Sequence, residues 1–252
     1  YNHSTKILKK KQINVKIGVL SNKISHFYKS YVLSKSNKLP FVTCKLAVSK
    51  DLFTINKKKK WITNKYSRGR VHLMRSQHDA IITSSKTIIK DNPLLNCRIN
   101  DLEMRSPAII ILDNHLSIPV MSNVIKNNLM SNTIIFYNKF NKKKIKLLKK
   151  YGARTYRTAI NENGELNLNN ILMKVKTLGF NRIFLESGLK LANNFLKENL
   201  VNDLKIFMSN NKLNNNGLGN INKQIKAYLK NKKYTFEKVN LLGDKLISYQ
   251  IK

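Results

Sequence analysis

Acidic residues are scarce in this chain. Thirteen Asp and Glu stand against 48 Lys and Arg in 252 residues, a formal charge of +35. Cysteine is scarce too. Cys44 and Cys97 form neither a metal-like nor a redox-like spacing, which fits a reduced, cytoplasmic setting. The five histidines make no zinc spacing, so no metal site is expected. No apolar run approaches the roughly 20 residues that span a bilayer. The longest clear one, Ala108 to Leu112, has a strand's length, so no membrane partner is expected. The opening YNHSTKILKKK has no apolar core of a secretory signal, and it begins on Tyr1 rather than Met, as a fragment or processed form does. No G-x-G-x-x-G follows a strand, and neither a P-loop nor a G-x-S-x-G occurs. These gaps remove the Rossmann fingerprint, Walker-type nucleotide binding and the nucleophile elbow. There is no internal repeat.

What is present suffices for a core. Apolar residues make up 42% of the chain, enough for one α/β domain of this length with an appendage. The positive charge is carried by 40 Lys and only 8 Arg, beside 35 Asn, and the lysines run along the whole chain. Nucleic-acid readout leans on Arg interleaved with aromatics on one face. Lys57 to Lys60 and Lys142 to Lys144 lack that interleaving, apart from Trp61 after the first run. The charge therefore reads as Lys and Asn bias on solvated faces, with salt-sensitive sticking to polyanions and no specific nucleic-acid partner.

In chain order, residues 1–39 read as a leader: a basic start, a strand-like run from Ile13 to Leu20, then a helix with Phe27, Tyr28 and Tyr31, closed by Leu39-Pro40. A strand covered on both faces follows from Phe41 to Ser49. Thr63 or Asn64 is an N-cap candidate for a helix reaching about Gln77, with Tyr66, Leu73 and Met74 inward. The Ala80–Thr83 strand then breaks into the hydroxyl turn Thr83-Ser84-Ser85-Lys86-Thr87, and a short helical turn stops at Asp91-Asn92-Pro93. Pro107 to Asp113 and Thr133 to Tyr137 read as buried strands, and Lys142 to Tyr151 as a basic helix ended by Gly152. A helix from Leu166 to Leu178 ends at Gly179. A strand from Arg182 to Leu185 then runs into Glu186-Ser187-Gly188 and a helix with Leu191, Ala192, Phe195 and Leu196 inward. Asp203 to Met208 and Tyr234 to Ile251 supply the last strands, around an Asn/Gly-rich loop from Asn210 to Asn222. Alternating strands and helices imply mostly parallel pairing, with the final strands antiparallel.

Ligands of open α/β sheets bind beyond the carboxyl ends of the strands. Four places qualify: Ser49/Asp51, the Ser84–Thr87 turn, Asp113/Asn114 and Glu186–Gly188, with Lys45 on the first strand. Each has a plain structural alternative. Ser84, Ser85 and Thr87 serve equally as helix caps, Asp91 as a turn former, Trp61 as a rim aromatic, and His72, His78 and His115 as ordinary helix or loop residues. Glu186 stands out because an apolar strand seldom ends in a lone carboxylate.

Together these residues resemble a known family. Pro40-Phe41-Val42 with Lys45-Leu46-Ala47-Val48-Ser49-Lys50-Asp51, Trp61-Ile62-Thr63, Val71…Leu73-Met74-Arg75, Asp79-Ala80-Ile81, Thr87…Asp91-Asn92-Pro93…Leu95…Arg98 and Leu185-Glu186-Ser187-Gly188…Leu191-Ala192 resemble the reductase domain of the riboflavin-biosynthesis bifunctional deaminase–reductase. The resemblance covers residues 40–252. Residues 1–39 are similar to the tail of the family's deaminase domain, whose zinc motifs are missing from this chain. It implies a dihydrofolate-reductase-like α/β fold, NADPH, a homodimer, and reduction of 5-amino-6-(5-phosphoribosylamino)uracil, a phosphorylated pyrimidine, to the ribitylamino compound. It also implies cofactor contacts at Ala47, Trp61, Thr87, Asp91, Asn114, Gly188, Leu189, Lys190 and Asn194. Substrate contacts fall at Arg75, Leu95, Arg98 and Glu186, and at Lys59, where the family usually has a serine. Lys45 is the candidate for polarising or protonating the reacting sugar carbon, with Asp91 and Glu186 orienting. The family's Asp-Gly after the first strand is Asp51-Leu52 here, and the loop that follows is shorter.

Two other readings compete: a dihydrofolate-reductase-like enzyme on another pterin or pyrimidine, and a basic nucleic-acid-binding protein. Arg75 and Arg98, both suited to a substrate phosphate, speak against the first. For the second, NADPH should quench Trp61 fluorescence while filter-bound RNA is lost at moderate salt; tight RNA retention with no NADPH effect would reverse the choice.

Overall fold

The computed structural model describes residues 2–126 and 132–252. Its frame is a nine-stranded sheet in the order β10-β11-β8-β1-β7-β3-β4-β5-β6. The strands are β1 (Phe41–Val48), β3 (Ala80–Ser84), β4 (Ala108–Leu112), β5 (Thr133–Tyr137), β6 (Arg154–Arg157), β7 (Arg182–Glu186), β8 (Asp203–Met208), β10 (Tyr234–Phe236) and β11 (Lys245–Gln250). Every neighbouring pair from β8 to β6 is parallel, and β11 and β10 add antiparallel pairing at one edge. The central strands are β-branched and buried throughout, as parallel strands covered on both faces must be.

Alternate side chains of these strands enter two cores. Val42, Cys44, Leu46, Ile82, Ile110 and Leu185 point to one side. There they meet the helices Leu168–Thr177 (α7) and Leu189–Lys197 (α8). Ile81, Ile109, Ile111, Phe184 and Phe207 point to the other side. They meet α3 (Lys65–Ser76), α4 (Ser85–Asp91) and α6 (Lys142–Lys150) through Val71, Met74, Ile88, Ile145 and Leu148. Further helices include α1 (Asn2–Lys10), α2 (Ser21–Ser36) and α5 (Asn123–Lys126).

Local chemistry sets the element ends. The Asn64 side chain accepts from the Tyr66 and Ser67 N–H groups at 2.9 and 3.0 Å, a cap worth about 1 kcal/mol. The Asp244 carboxylate accepts from the Asn64 N–H and the Ser67 hydroxyl at 2.8 and 2.6 Å, which pins the start of α3 to the C-terminal hairpin. Gly152 and Gly179, at φ 81° and 95°, follow α6 and α7 as expected.

Three expectations fail. Ile13 to Leu20 is not a strand; its apolar residues alternate, as Ile13, Val15, Ile17 and Val19 do, but it pairs with no strand among the described residues and is a mostly exposed connection between α1 and α2. Tyr66 is exposed, its ring covered by the Lys65 ammonium at 5.2 Å, because Val71 and Met74 take the inner face of α3. The Asn210–Asn222 stretch is not all loop. Gly217–Asn220 forms β9 and pairs with β2 (Phe53–Asn56) in a two-stranded sheet. A side chain at 217 would collide with the Phe53 ring, so glycine is required there. Asp51 holds the two pieces together: it accepts from the Ser49 hydroxyl at 2.6 Å and from the Leu213 and Asn214 N–H groups at 3.0 and 2.7 Å. Leu52 beside it has φ 70° and packs against the core.

His78 joins the end of α3 to β1. Its Nδ1 lies 2.6 Å from the Met74 carbonyl, its Nε2 3.1 Å from the Thr43 hydroxyl, and its ring centroid 5.0 Å from that of Phe184. Burial is the main cause holding its pKa down, from 6.5 to about 4. The unfolded chain then binds a proton that the folded imidazole refuses, so this stability is present above pH 6.5 and is lost as pH falls toward 4. The urea midpoint of the wild type should fall between pH 7 and 5 more steeply than that of His78→Gln; parallel slopes would show that His78 does not set this dependence.

Candidate active site

The parallel register brings charged groups together. Lys45 of β1 and Glu186 of β7 are Cα partners on adjacent strands, and Lys45 Nζ lies 3.9 Å from Glu186 Oε1. Arg75, from the last turn of α3, closes on the same carboxylate with both arms of its fork. Its Nη2 donates to Oε1 at 2.8 Å and its Nε to Oε2 at 3.0 Å. The third arm, Nη1, donates to the Asn96 carbonyl at 2.9 Å. Arg75 is 8% exposed, so its charge needs this partner. Burial alone would raise the Glu186 pKa; the Arg75 and Lys45 charges outweigh it and hold the carboxyl at about 2. Burial pushes the Lys45 ammonium below its usual range, Glu186 opposes that fall, and Arg75 reinforces it.

The other expected residues have surroundings of their own. Ala47 follows Lys45 on the same side of β1, half-buried. Trp61 is 56% exposed with the Arg68 guanidinium 4.9 Å from its ring centroid. Lys59 lies on the exposed loop before it, its N–H donating to the Asn56 side chain at 3.2 Å. Leu95 is buried in the α3-side core at φ 55°, a left-handed conformation that costs a leucine energy. Arg98 is exposed, its Nη2 3.2 Å from His72 Nε2. Asp91 is exposed at the end of α4 and, among the described residues, forms no hydrogen bond or ion pair with Lys45 or Glu186. Lys45 and Glu186 thus meet, while Asp91 is not bonded to either among the described residues.

Of the strand-end places named from the sequence, the hydroxyl turn is occupied by its own helix. The Ser84 hydroxyl accepts from the Thr87 N–H at 3.4 Å and lies 3.2 Å from the Thr87 hydroxyl. The start of α8 is different. Gly188 caps it with no side-chain acceptor, a Cβ at Gly188 would meet nothing within 4 Å, and the first turn carries no acid. Lys190 and Asn194 are braced from behind by Glu165, with Lys190 Nζ 2.7 Å from Oε1 and the Asn194 amide donating to Oε2. Free N–H groups and a helix's positive end suit an anion. Among the described residues, the buried Thr83 hydroxyl at the end of β3 and the Asn114 side-chain oxygen beyond β4 have no hydrogen-bond partner. Polar groups left open at strand ends beside an uncapped helix fit a dinucleotide cofactor, with Leu189, Lys190 and Asn194 at the phosphate end. The sequence reading placed Thr83 in the hydroxyl turn and His72 among ordinary helix residues, and gave neither a role in the site. The spacing of His72 one helical turn before Arg75 was the available signal.

Asp113 and Asp51 are structural. Asp113 accepts from the Ser117 hydroxyl and the Ile118 N–H, both at 2.8 Å, and Asp51 is committed to the β2–β9 turn.

The sheet order, parallel through its centre with antiparallel strands at one edge, defines an α/β protein with the dihydrofolate-reductase-like fold. Within that class the placement is specific, for the family model described as the RibD C-terminal domain matches residues 40–210, and the chain belongs to that family. It is 30% identical over 239 residues to the riboflavin biosynthesis protein RibD of Aquifex aeolicus, covering 94% of this chain and 65% of that protein. It is 29% identical over 168 residues to the 5-amino-6-(5-phosphoribosylamino)uracil reductase of Buchnera aphidicola subsp. Acyrthosiphon pisum, covering 60% of this chain and 74% of that one. Acinetobacter baumannii RibD superposes with a TM-score of 0.76 at 20% identity, over 98% of this chain and 67% of that one. The chain spans 65% and 54% of the Aquifex aeolicus and Bacillus amyloliquefaciens RibD proteins, so it corresponds to part of their length.

Removing the carboxylate charge tests the cluster. Glu186→Gln leaves two cations facing each other without their shared anion, and should cost about 3–5 kcal/mol in urea unfolding. Below about pH 4.5 the difference should shrink, because the wild-type carboxyl gives up its stabilising charge as pH falls toward 2. A loss of only a few tenths of a kcal/mol would place the cluster among solvated surface pairs.

Proposed function

We propose that this chain is an NADPH-dependent reductase of riboflavin synthesis, converting 5-amino-6-(5-phosphoribosylamino)uracil to 5-amino-6-(5-phosphoribitylamino)uracil. The observation that carries the reading is the Lys45–Glu186 pair at 3.9 Å, on register partners of adjacent strands in a chain of the RibD C-terminal domain family. NADPH, when bound, supplies the hydride that the sugar carbon bearing the amine requires. The residues of the chain do the rest. Lys45 Nζ gives a proton to the ring oxygen as the ribose opens, so that oxygen leaves as a hydroxyl. An ammonium whose hold on its proton is weakened by burial, and which one carboxylate steadies, is suited to that transfer. Glu186, fixed by Arg75, orients Lys45 and presents its remaining lone pairs to the sugar or pyrimidine. Arg98 takes the 5′-phosphate, with Lys59 as a second cation on the loop and Leu95 shaping the wall. Trp61, Ala47, Thr87, Asp91 and Asn114 line the cofactor side, and Gly188 and Leu189 open the helix start to its phosphates.

In the same reading residues 1–39 are the tail of a preceding deaminase domain and the working unit is a cytoplasmic homodimer. Ile17, Leu20 and Val32 are 60%, 59% and 57% exposed, as side chains covered by another domain are when it is not present. Among the described residues no helix is long and apolar enough to cross a membrane.

The test is NADPH oxidation with the phosphoribosylaminouracil substrate, with dihydrofolate as the competing one. Turnover is expected with the first only, and Lys45→Met should lower kcat by about 10²–10⁴-fold. A folded wild type that oxidises NADPH with neither substrate would overturn the assignment, and near-normal turnover by Lys45→Met would remove that residue from the chemistry.

A further inference from the structure

Arg75 spends its whole fork inside the protein, which leaves Arg98 as the guanidinium open to an anion. An exposed arginine on an irregular segment holds no direction by itself. Arg98 has one neighbour that can give it one. His72 Nε2 is 3.2 Å from Arg98 Nη2, and His72 Nδ1 is 3.1 Å from the Asn96 carbonyl.

Two of the three contacts of the ring select the same tautomer. A guanidinium only donates, so Nε2 carries a lone pair; a carbonyl only accepts, so Nδ1 carries the hydrogen. The Arg98 backbone N–H, 3.2 Å from Nδ1, is the one contact that favours the opposite arrangement, and it is outweighed by the other two. The charged groups around the ring are Arg75 from its own helix, Arg98 from the segment beyond α4, and Glu186 from β7. Burial first, and then the two guanidinium charges, press the imidazole toward its neutral form. A neutral acceptor is what an arginine needs beside it: it holds one N–H without consuming the charge, as a carboxylate would. The Asn96 carbonyl receives both His72 Nδ1 and Arg75 Nη1, so a continuous path runs from Glu186 through Arg75 and Asn96 to His72 and Arg98.

We propose that His72 is a positioning residue that aims the Arg98 guanidinium at the phosphate of the substrate and ties that phosphate site to the Lys45–Glu186 pair. This rests on the reductase reading for the identity of the phosphate, and the experiment separates the two. Binding of ribose 5-phosphate, with ribose as control, is measured by calorimetry for the wild type, His72→Phe, His72→Gln, Arg98→Ala and the double variant His72→Phe/Arg98→Ala. The same proteins are assayed for NADPH oxidation with the phosphoribosylaminouracil substrate.

His72→Phe keeps the ring and removes the acceptor. It should weaken ribose 5-phosphate binding and raise KM for the substrate about tenfold, the scale of one lost hydrogen bond to a charged group, with kcat within about twofold. His72→Gln, whose side-chain oxygen still accepts, should recover most of that loss. The double variant should be no worse than Arg98→Ala alone, since the histidine acts through the arginine. A His72→Phe effect that persists in full on the Arg98→Ala background, or that falls on kcat with KM unchanged, overturns the proposal. So does a wild type that binds ribose 5-phosphate no better than ribose. Absence of turnover in a wild type that binds ribose 5-phosphate through Arg98 and His72 would sink the reductase reading and leave this one standing.

Discussion

A carboxylate at the end of a buried strand must find cations or become neutral, and Glu186 finds two. That requirement orders much of the molecule. Because β1 and β7 run in parallel register, Lys45 projects beside Glu186 on one face of the sheet, while its neighbours Cys44 and Leu46 enter the opposite core. A slip of one residue would send the lysine into that core, so apolar packing fixes the register that makes the charge pair. The third member comes from a helix whose position is held at both ends, by Asn64 and Asp244 at its start and by His78 at its finish. Packing and electrostatics depend on each other here.

Scarcity of acid gives each carboxylate a distinct task. Of the thirteen, eight hold identifiable partners: Asp51, Asp79, Asp113, Glu165, Glu186, Asp203, Glu237 and Asp244. Several bridge segments far apart in sequence, as Glu237 does between Lys205 of β8 and Arg70 of α3. Asp91 is among those without such a partner in the described residues, which leaves its side chain available to a ligand. The surplus lysines are mostly solvated, and their summed field favours the approach of anionic small molecules at low ionic strength.

Much of the frame was legible because it rests on local signals. The runs at 80–84, 108–112, 133–137 and 182–186 are β-branched or aromatic and buried on both faces, and the caps at Asn64, Gly152 and Gly179 are single-residue cues. The small β2–β9 sheet was not legible. Its strands are polar or glycine-bearing, and their pairing depends on Asp51 meeting backbone N–H groups 162 and 163 positions away. β6, with Arg154 and Arg157 at its ends, closes the sheet edge without an apolar pattern to announce it. Within the site, Glu186 was marked by its place at a strand end and Lys45 by its place on the first strand; their meeting came from the parallel register. The partner of Arg75 was not legible, for a sequence displays the charge of an arginine and not the anion it reaches. Pairing Arg75 with a ligand phosphate was the natural reading; the fold supplied an internal carboxylate instead.

The turn after β1 carries a consequence of its own. Leu52 holds a backbone shape that suits glycine, yet its side chain lies against the core, so burial sustains what steric repulsion resists. A glycine there would relax the main chain and open a void; a larger or polar residue would keep the strain and lose the contact. The position therefore links the first strand to the small sheet through a compromise, in which neither backbone comfort nor side-chain packing can be improved except at the other's expense.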